Sequence, residues 1–243
     1  MKLVIKHKLN KPVELPINYN YILQSIIYKC TCNDNERSTL LHDIGYQNEK
    51  RQYKLFQFSN IKGQYRIRKE TKSIIFDDDM TWEIRSVDNG LLNIIADSIT
   101  KKDIRFDNQK VENTEVTMVN CDILCDMIKI KMDTPICVYS TSQEKDNWVE
   151  YYSPYDTEFA EQVNDNFRRK YKAYTGREAD SDVTIELIKC SPKDKIVTRY
   201  KGKVLSGWKG LYMLKGKPEY LNFLYHTGLG AKNSQGFGMF SEL

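Results

Sequence analysis

Apolar residues along the chain alternate between the spacing of strands and the spacing of helices. In the first half, residues 19–31 and 91–99 repeat apolar side chains every third or fourth position, which predicts two helices. A further short helix is expected over residues 35–42. Alternating or β-branched segments predict the strands, which are expected at residues 2–9, 54–58, 65–68, 73–76, 81–87 and 111–119. The first half thus has the order strand, helix, strands, helix, strand.

The second half repeats that order. A long helix is expected over residues 154–174, where apolar side chains lie four positions apart, and a short one over 219–225. The expected strands are at residues 127–132, 136–139, 183–190, 196–200, 205–214 and 237–240. Two successive βαββαβ units predict an α+β protein of tandem ferredoxin-like domains, each an antiparallel sheet with its helices on one face. We expect the first domain to span residues 1–120 and the second 121–243.

Charge is distributed unevenly between the two halves. The 243 residues carry a net charge of +4, but residues 164–243 hold 15 Lys and Arg against 8 Asp and Glu, or +7. The remaining residues therefore carry a net charge of −3. A basic C-terminal region indicates a polyanionic partner, because cations that neutralise phosphates release counterions and so supply affinity that does not depend on sequence.

The six cysteines indicate a reducing, cytoplasmic setting. They form no Cys-x-x-Cys pair, and the chain shows neither a signal peptide nor a long apolar run, so no membrane association is expected. Cys30 with Cys32 and Cys121 with Cys125 hold four thiols, but neither spacing is usual for zinc. We therefore expect no metal and no cofactor. The other two cysteines, Cys137 and Cys190, are expected to be small buried hydrophobic residues.

The last sixteen residues carry the clearest chemical pattern. Lys232, Asn233 and Ser234 are surrounded by four glycines, namely Gly228, Gly230, Gly236 and Gly238. Because glycine tolerates positive φ and lets the backbone approach a ligand closely, successive N–H groups can form a concave nest for anionic oxygens. Lys232 adds a positive charge. Within a basic region, this pattern indicates binding of a phosphate backbone.

Two other interpretations of this glycine-rich segment start from the same residues. It is also typical of an ordinary turn ahead of a final strand. A dinucleotide-binding loop is disfavoured, because Asn233 stands where the third glycine belongs. The expected order, helix then loop then strand, is also the reverse of a dinucleotide-binding turn.

Three histidines are candidates for acid–base chemistry. His42 follows an apolar stretch and precedes Asp43 and Gly45, a position where an imidazole is expected to be partly exposed. Its ordinary pKa of about 6.5 suits proton transfer at neutral pH. His226 borders the glycine-rich segment and is a weaker candidate for phosphate contact, and His7, in the first strand, is weaker still.

A tyrosine and two lysines could join His42. Tyr28 lies on the first helix, and Lys50 and Lys54 bring positive charge to the strand that follows. A histidine, a lysine and a tyrosine around one phosphodiester suffice for metal-free RNA cleavage, in which the 2′-OH attacks its own phosphorus and the 5′-oxygen leaves. The residues taken alone favour a plainer interpretation: a capping histidine, a solvated lysine and a core tyrosine.

Four segments, in order along the whole chain, carry a family resemblance. They are residues 15–28, the triplet Leu41-His42-Asp43, residues 54–59 and the terminal run over 228–238. Together they resemble the Cas six family of CRISPR-associated endoribonucleases, in the RAMP group, which process precursor CRISPR RNA. The terminal run is the most specific of the four.

The resemblance implies an activity and a set of residues. The activity is metal-independent cleavage within each CRISPR repeat, which leaves a 5′-hydroxyl and a 2′,3′-cyclic phosphate. His42 would act as the acid or the base, Tyr28 would be the other proton-handling or positioning group, and Lys54 would stabilise negative charge. Which of His42 and Tyr28 takes the 2′-OH proton stays open. Lys50 competes with Lys54, because the loop before Leu55 is longer here than in the family. The glycine-rich segment would hold RNA together with Lys50 and with basic residues of the second domain, namely Arg168, Arg169, Lys170, Lys193, Lys195 and Lys203.

The implied partner is CRISPR repeat RNA, as precursor and as processed product. Other subunits of a CRISPR effector complex and a second copy of the chain are further partners known in the family, although no surface feature of the sequence decides either. Two rival functions stay open: a RAMP protein that binds CRISPR RNA without cleaving it, against which His42 argues, and an unrelated RNA-binding module. No Lys/Arg-Gly-Phe/Tyr signature of an RNA-recognition sheet occurs, so stacking of bases on a sheet is not expected.

Overall fold

The computed structural model of the protein describes residues 1–32, 45–48, 51–142 and 148–243. The helix expected over 35–42 lies outside these residues. The α-helices of the described part are α1 (Asn20–Thr31), α2 (Asn89–Lys101), α3 (Glu158–Thr175) and α4 (Pro218–Thr227).

The strands fall into two groups. Those of the first half are β1 (Lys2–Lys8), β2 (Val13–Pro16), β3 (Tyr46–Asn48), β4 (Arg51–Tyr53), β5 (Phe56–Phe58), β6 (Tyr65–Arg68), β7 (Ser73–Phe76), β8 (Met80–Ser86), β9 (Ile104–Phe106), β10 (Gln109–Val111) and β11 (Asn113–Val119). Those of the second half are β12 (Met127–Met132), β13 (Tyr139–Ser142), β14 (Trp148–Tyr151), β15 (Thr184–Lys189), β16 (Lys195–Tyr200), β17 (Lys203–Trp208), β18 (Leu211–Lys215) and β19 (Phe240–Glu242).

The first unit is an antiparallel sheet in the order β11, β1, β8, β5, built from the chain order β1, α1, β5, β8, α2, β11. Along β1, Leu3, Ile5 and His7 are buried at alternate positions, as expected of a strand with one covered face. Leu23 of α1 and Ile95 of α2 are completely buried in the same core. Full burial of one such aliphatic side chain stabilises the fold by about 1.5–3 kcal/mol.

The second unit repeats this arrangement with β12, α3, β15, β18, α4 and β19, and its sheet has the order β15, β18, β12, β19. In both sheets the first strand of the unit lies in the middle, between the third and the fourth. The predicted fold class, tandem ferredoxin-like units with antiparallel sheets, is therefore confirmed.

Local signals define the helix ends. The side chain of Asp88 caps α2 by accepting a hydrogen bond from the N–H of Leu91 at 3.0 Å. Helix α3 ends at Gly176, which adopts the left-handed conformation (φ 72°) and donates its N–H to the carbonyl of Lys172. Pro218 starts α4, where its missing N–H costs no helical hydrogen bond.

Outside the two main sheets lie a three-stranded sheet of β2, β7 and β6 and four hairpins, within the described residues. One of these hairpins corrects an expectation. Residues 205–214 form two strands rather than one, with β17 pairing to β16 and β18 lying in the main sheet. Gly210 separates them with a φ of 144°, and a Cβ at this position would lie 2.9 Å from the carbonyl oxygen of Lys189.

Two expected strands begin later than predicted. The expected strand at 136–139 is displaced to β13, and Ile136 and Cys137 form only isolated bridges. The last strand spans Phe240–Glu242 rather than 237–240. Its beginning is displaced because Gly238 already donates to the carbonyl of Pro135 and accepts from the N–H of Leu229, so that this backbone belongs to the preceding loop.

Arg85 of β8 connects the two units. It is 1% exposed, and its guanidinium donates to the carbonyl of Phe240 at 2.7 Å and to the carboxylate of Glu83 at 3.0 Å. Its Cζ also lies 4.0 Å from the centroid of the Tyr225 ring, and Gln57 Nε2 donates to the carbonyl of Tyr225 at 2.7 Å. A buried planar cation with two acceptors and an aromatic face holds the two sheets in a defined relative position.

The cysteines of the described structure are all free. Cys137 is buried as expected, whereas Cys190 is half-buried at the end of β15. No cluster of three or more His, Cys, Asp or Glu side chains within the described ranges could hold a metal ion. None of the helices described is long and apolar enough to cross a membrane.

His7 is a core residue. It is completely buried, its Nε2 accepts a hydrogen bond from Trp82 Nε1 at 3.0 Å, and its Nδ1 lies 2.8 Å from Thr114 Oγ1. Burial lowers the pKa of His7 to about 4. Burial likewise lowers the pKa of His226 to about 4. Both imidazoles are therefore neutral in the folded protein near neutral pH.

We predict that acidification from pH 6.5 to pH 5 destabilises the fold. In this range the unfolded chain takes up protons on both histidines while the folded protein does not, so the free energy of unfolding falls by up to about 1.4 kcal/mol per pH unit for each histidine. Urea denaturation at several pH values measures this. In His7→Gln, which keeps an acceptor for Trp82 and cannot titrate, the loss should shrink; an unchanged loss would contradict the assignment.

Candidate active site

A cleft of about 730 Å³ opens where the two units meet. From the first unit, α1, β4 and β5 contribute to its walls. From the second unit, the walls are formed by β13, α3, the end of β16 and the loop over residues 227–235. The two ends of the chain therefore line one cavity.

The cleft is strongly cationic. Its described lining includes six basic residues, namely Arg51, Lys54, Arg169, Lys170, Lys201 and Lys232, and contains no Asp or Glu. Like charges in a cleft with low-dielectric walls reinforce one another and raise the local concentration of anions. The arrangement suits a polyanionic ligand.

The four glycines of the terminal loop are buried and have positive φ. A Cβ on Gly238 would lie 2.1 Å from the carbonyl oxygen of Leu229, and one on Gly230 would lie 2.6 Å from that of Cys137. These glycines let the loop pack closely on the protein itself. Gly230 also lines the cleft, whereas Gly228, Gly236 and Gly238 are not among its lining residues.

Lys232, Asn233 and Ser234 lie within the part of the loop that lines the cleft, residues 230–235. Lys232 adopts the left-handed conformation with a φ of 62°, and a 3₁₀ turn over Asn233–Gln235 follows. Within the part of the chain that the structure describes, the N–H groups of these three consecutive residues have no hydrogen-bond acceptor. Successive unpaired N–H groups at such a turn are a feature of anion-binding backbone nests.

Lys170 lies beneath this loop and not on the surface of α3. The residue is 2% exposed, and its Nζ donates to the carbonyl of Gly228 at 2.5 Å, to Asn233 Oδ1 at 3.2 Å and to the carbonyl of Gly230 at 3.4 Å. Burial lowers the pKa of Lys170 to about 7. Asn233 in turn donates to the carbonyls of Leu229 and Phe237, at 3.0 and 3.1 Å.

Helix α1 holds the other side of the loop. Asn20, Gln24 and Tyr28 lie four residues apart and therefore share one face of the helix. Asn20 Nδ2 donates to the carbonyl of Gln235 at 3.1 Å, and Gln24 Nε2 donates to that of Ser234 at 2.5 Å. Tyr28, one turn further along this face, lines the cleft.

Gln24 also connects to a third element. Its side-chain carbonyl accepts a hydrogen bond from the hydroxyl of Tyr200, at the end of β16. Burial, followed by the neighbouring Tyr28, raises the pKa of Tyr200 to about 12. The buried Gln24 side chain thus connects α1 to the terminal loop and to the β16–β17 hairpin by hydrogen bonds.

The structure brings Tyr28 and Lys54 to the same cleft. The Tyr28 ring packs edge-on against Phe56, with centroids 6.1 Å apart, and burial raises the pKa of its phenol. The Lys54 side chain is half-buried and its Nζ is shielded from solvent. His42 and Lys50 lie outside the described residues.

The basic residues of the second domain that the sequence analysis expects to contact RNA fall into two groups. Arg169 and the buried Lys170 line the cleft. Arg168 instead forms an ion pair with Asp182 at 2.6 Å. Lys193, Lys195 and Lys203 are exposed and are not part of the cleft lining.

The sequence-based interpretation missed the structural roles of Gln24, Tyr200 and Lys170. For two of them a signal was present. Gln24 is one helical turn before Tyr28, and Lys170 continues the buried stripe of α3, which consists of Phe159, Val163, Phe167 and Lys170. A charged residue within an apolar stripe must find polar partners. The signal for Tyr200 was absent, because its partner is distant in sequence.

The fold and the cleft define a class: tandem ferredoxin-like proteins with a glycine-rich terminal loop at a basic interdomain cleft. The family model for CRISPR associated protein Cas6, C-terminal, matches residues 114–242, more than half of the chain. The chain therefore belongs to the Cas6 family.

Individual relatives agree with this assignment. The CRISPR-associated endoribonuclease Cas6 1 of Methanocaldococcus jannaschii is 27% identical over 236 residues, which cover 93% of this chain and 86% of that protein. A solved Cas6-related protein from Pyrococcus furiosus has a TM-score of 0.82 at 23% identity, covering 100% of this chain and 98% of the other. A RAMP protein described as binding different RNA substrates has a TM-score of 0.80 at 22% identity, covering 100% and 99%.

We predict that Gln24→Leu destabilises the protein by about 1–3 kcal/mol, because the Tyr200 hydroxyl and the Ser234 carbonyl lose a buried partner. Hydrogen exchange should also accelerate at Gln235 and Gly236, whose N–H groups are paired within the loop. Denaturant unfolding and exchange mass spectrometry measure the two effects. Gln162→Leu is the matched control, since Gln162 lines the same cleft but its side chain makes no hydrogen bond within the described structure. Equal losses of stability in both variants would refute the structural role of the two Gln24 hydrogen bonds.

Proposed function

We propose that the protein is a metal-independent endoribonuclease that cleaves CRISPR repeat RNA in precursor transcripts. The observation that carries this proposal is that Tyr28 and Lys54 of the first unit share one cationic cleft with the terminal loop of the second. The named activity of the Methanocaldococcus jannaschii relative supports it. The catalytic residues belong to a first domain of residues 1–120, and the RNA-holding loop to a second of residues 121–243.

In the proposed reaction, the 2′-oxygen of the nucleotide before the cut attacks the adjacent phosphorus. A base takes the 2′-OH proton, the bond from phosphorus to the 5′-oxygen breaks, and an acid protonates that oxygen. The products are a 2′,3′-cyclic phosphate and a 5′-hydroxyl. Lys54, with its ammonium in the walls of the cleft, stabilises the additional negative charge of the phosphorane.

The environment of Tyr28 favours one division of roles. Burial raises the pKa of its phenol, so the neutral form predominates at neutral pH, and a neutral phenol can donate a proton or a hydrogen bond but does not accept a proton readily. We therefore assign proton donation or positioning to Tyr28. His42, whose ordinary pKa is about 6.5, is assigned removal of the 2′-OH proton.

The backbone next to Lys54 belongs to a segment that lies close to His42 in the sequence. A Cβ on Gly45 would lie 3.5 Å from Cδ of Lys54, so the Gly45 backbone is next to this lysine. His42 precedes Gly45 by three residues in the sequence. At the other end of the same segment, Cys32 Sγ contacts the carbonyl of Tyr28 at 3.4 Å.

The terminal loop and the surrounding cations would hold the RNA backbone. The unpaired N–H groups of Lys232, Asn233 and Ser234 suit phosphate oxygens, and Arg51, Arg169 and Lys201 extend the positive surface around them. Phosphate contacts of this kind position the RNA but do not read its sequence.

We predict cleavage of a cognate repeat RNA in the presence of EDTA, and none of an RNA with a 2′-deoxy group at the scissile nucleotide. His42→Ala and Tyr28→Phe should lower the single-turnover rate by about 10²–10⁴-fold, the usual contribution of acid–base groups. Gel analysis and detection of the cyclic phosphate measure this. Tyr53→Phe is the control, since its buried hydroxyl in the same cleft has no hydrogen-bond partner in the described structure.

Cleavage of the 2′-deoxy RNA would rule out the proposed chemistry. Tight binding of repeat RNA without cleavage by the unmodified protein would instead favour a RAMP protein that only binds CRISPR RNA.

Lys54 and Lys50 can be separated by experiment. We predict that Lys54→Ala lowers the cleavage rate at saturating RNA by about 10²–10³-fold, as expected when one group that stabilises transition-state charge is removed. Lys50→Ala should change this rate by less than about tenfold and act mainly on RNA affinity. The opposite pattern would transfer the stabilising role to Lys50.

A further inference from the structure

Lys170 is a buried lysine that the proposed chemistry does not use. It projects from the middle of α3 into the interior side of the terminal loop and is 2% exposed. Among its described contacts there is no carboxylate, and its acceptors are the carbonyls of Gly228 and Gly230 and the side-chain oxygen of Asn233. An ammonium has three N–H donors, and here three oxygens accept them.

These contacts fix the direction of the loop backbone. With the carbonyls of Gly228 and Gly230 directed at Lys170, the peptide N–H groups of Leu229 and Ala231 are directed away from it, since the peptide bond is planar and trans. Both are paired within the protein, to the carbonyls of Gly238 at 2.9 Å and Cys137 at 2.8 Å. In the described structure, Gly230 alone among residues 228–231 has an N–H group without an acceptor.

The second half of the loop is held through Asn233. Its Oδ1 accepts from Lys170, and its Nδ2 donates to Leu229 and Phe237, so that one side chain spans the loop from within. The three unpaired N–H groups, of Lys232, Asn233 and Ser234, lie on the turn that this side chain holds. Lys170 therefore acts on that turn through Asn233.

We propose that Lys170 is the positioning residue of the phosphate-binding loop: it holds the loop from inside in the conformation that presents its free N–H groups, and does not itself contact RNA. This inference rests on the proposed function, because it takes the occupant of the loop to be the RNA backbone. An apolar side chain in its place would leave three oxygens without donors in a buried site, which a loop can relieve only by rearranging.

Salt dependence separates a positioning lysine from one that contacts RNA. Each phosphate contact contributes about 0.7 to the slope of log Kd against log salt for single-stranded RNA and about 0.9 for a duplex. We expect Lys170→Met to raise the Kd for uncleavable 2′-deoxy repeat RNA by at least about tenfold, with the salt slope of the unmodified protein. The rate at saturating cleavable RNA should stay within about threefold, since the reacting groups are unchanged.

Two neighbours on α3 are matched controls. Arg169→Met removes a cation that lines the cleft and pairs with Asp165 at 3.5 Å, and it should lower the salt slope by up to about 0.7–0.9. Lys172→Met removes a cation that is paired with Glu178 outside the cleft lining and should leave the Kd unchanged. Lys170→Gln keeps an amide nitrogen as a donor group and should give an intermediate Kd. This variant tests the proposal if Lys170→Met folds poorly.

Hydrogen exchange of the RNA-free variants provides a second measurement. Exchange should accelerate over residues 228–238 in Lys170→Met but not in Arg169→Met. A wild-type Kd, a salt slope lowered as in Arg169→Met, or a smaller active fraction with an unchanged Kd would each overturn the proposal. If the unmodified protein failed to bind repeat RNA, the proposed function would fail, whereas the exchange experiment would still decide whether Lys170 holds the loop.

Discussion

The contact between the two ends of the chain is the constraint on which the site depends. Asn20 and Gln24 of α1 donate hydrogen bonds to the carbonyls of Gln235 and Ser234, which are more than 200 residues away in sequence. Together with the close approach of Gly236 to the Phe58 ring, these bonds hold the terminal loop against the first unit, so that Tyr28 and the loop line one cleft. The relative position of the two sheets, held by Arg85, is a precondition for that contact.

The loop keeps its shape because its polar groups are paired on the inside. Buried glycines allow it to lie against the backbone of its own protein, and Lys170 and Asn233 occupy the space that it encloses. An unpaired buried peptide group costs free energy, so a loop in which most groups are paired has few alternative conformations. Within the described structure, loop N–H groups without an acceptor occur at Gly230, at Phe237 and at residues 232–234, and of these residues only Phe237 is absent from the cleft lining.

The fold class was predictable from the periodicity of apolar residues, because each unit has one covered sheet face and two amphipathic helices. Details that depend on a few degrees of helical twist were not predictable from that periodicity. A stripe at every fourth residue leads from Phe167 to Tyr171, but a helix has 3.6 residues per turn, and the buried position is Lys170. Likewise, the sequence pattern of residues 205–214 predicts one strand, although Gly210 divides them between two sheets. Only the long-range pairing of the strands determines that division.

The net charge of a segment does not show which of its cations are paired. The +7 of the C-terminal residues includes Arg168, which is neutralised by Asp182, and Lys172 and Lys215, which pair with Glu178 and Glu186. The acidic first half supplies Arg51 and Lys54 to the cleft nevertheless. No carboxylate lines the cleft within the described residues, although Arg169 of its lining pairs with Asp165 at 3.5 Å. A paired cation must first give up its partner before it can attract phosphate fully. Local pairing, which a sequence does not display, therefore decides which of the many lysines and arginines can act on a ligand.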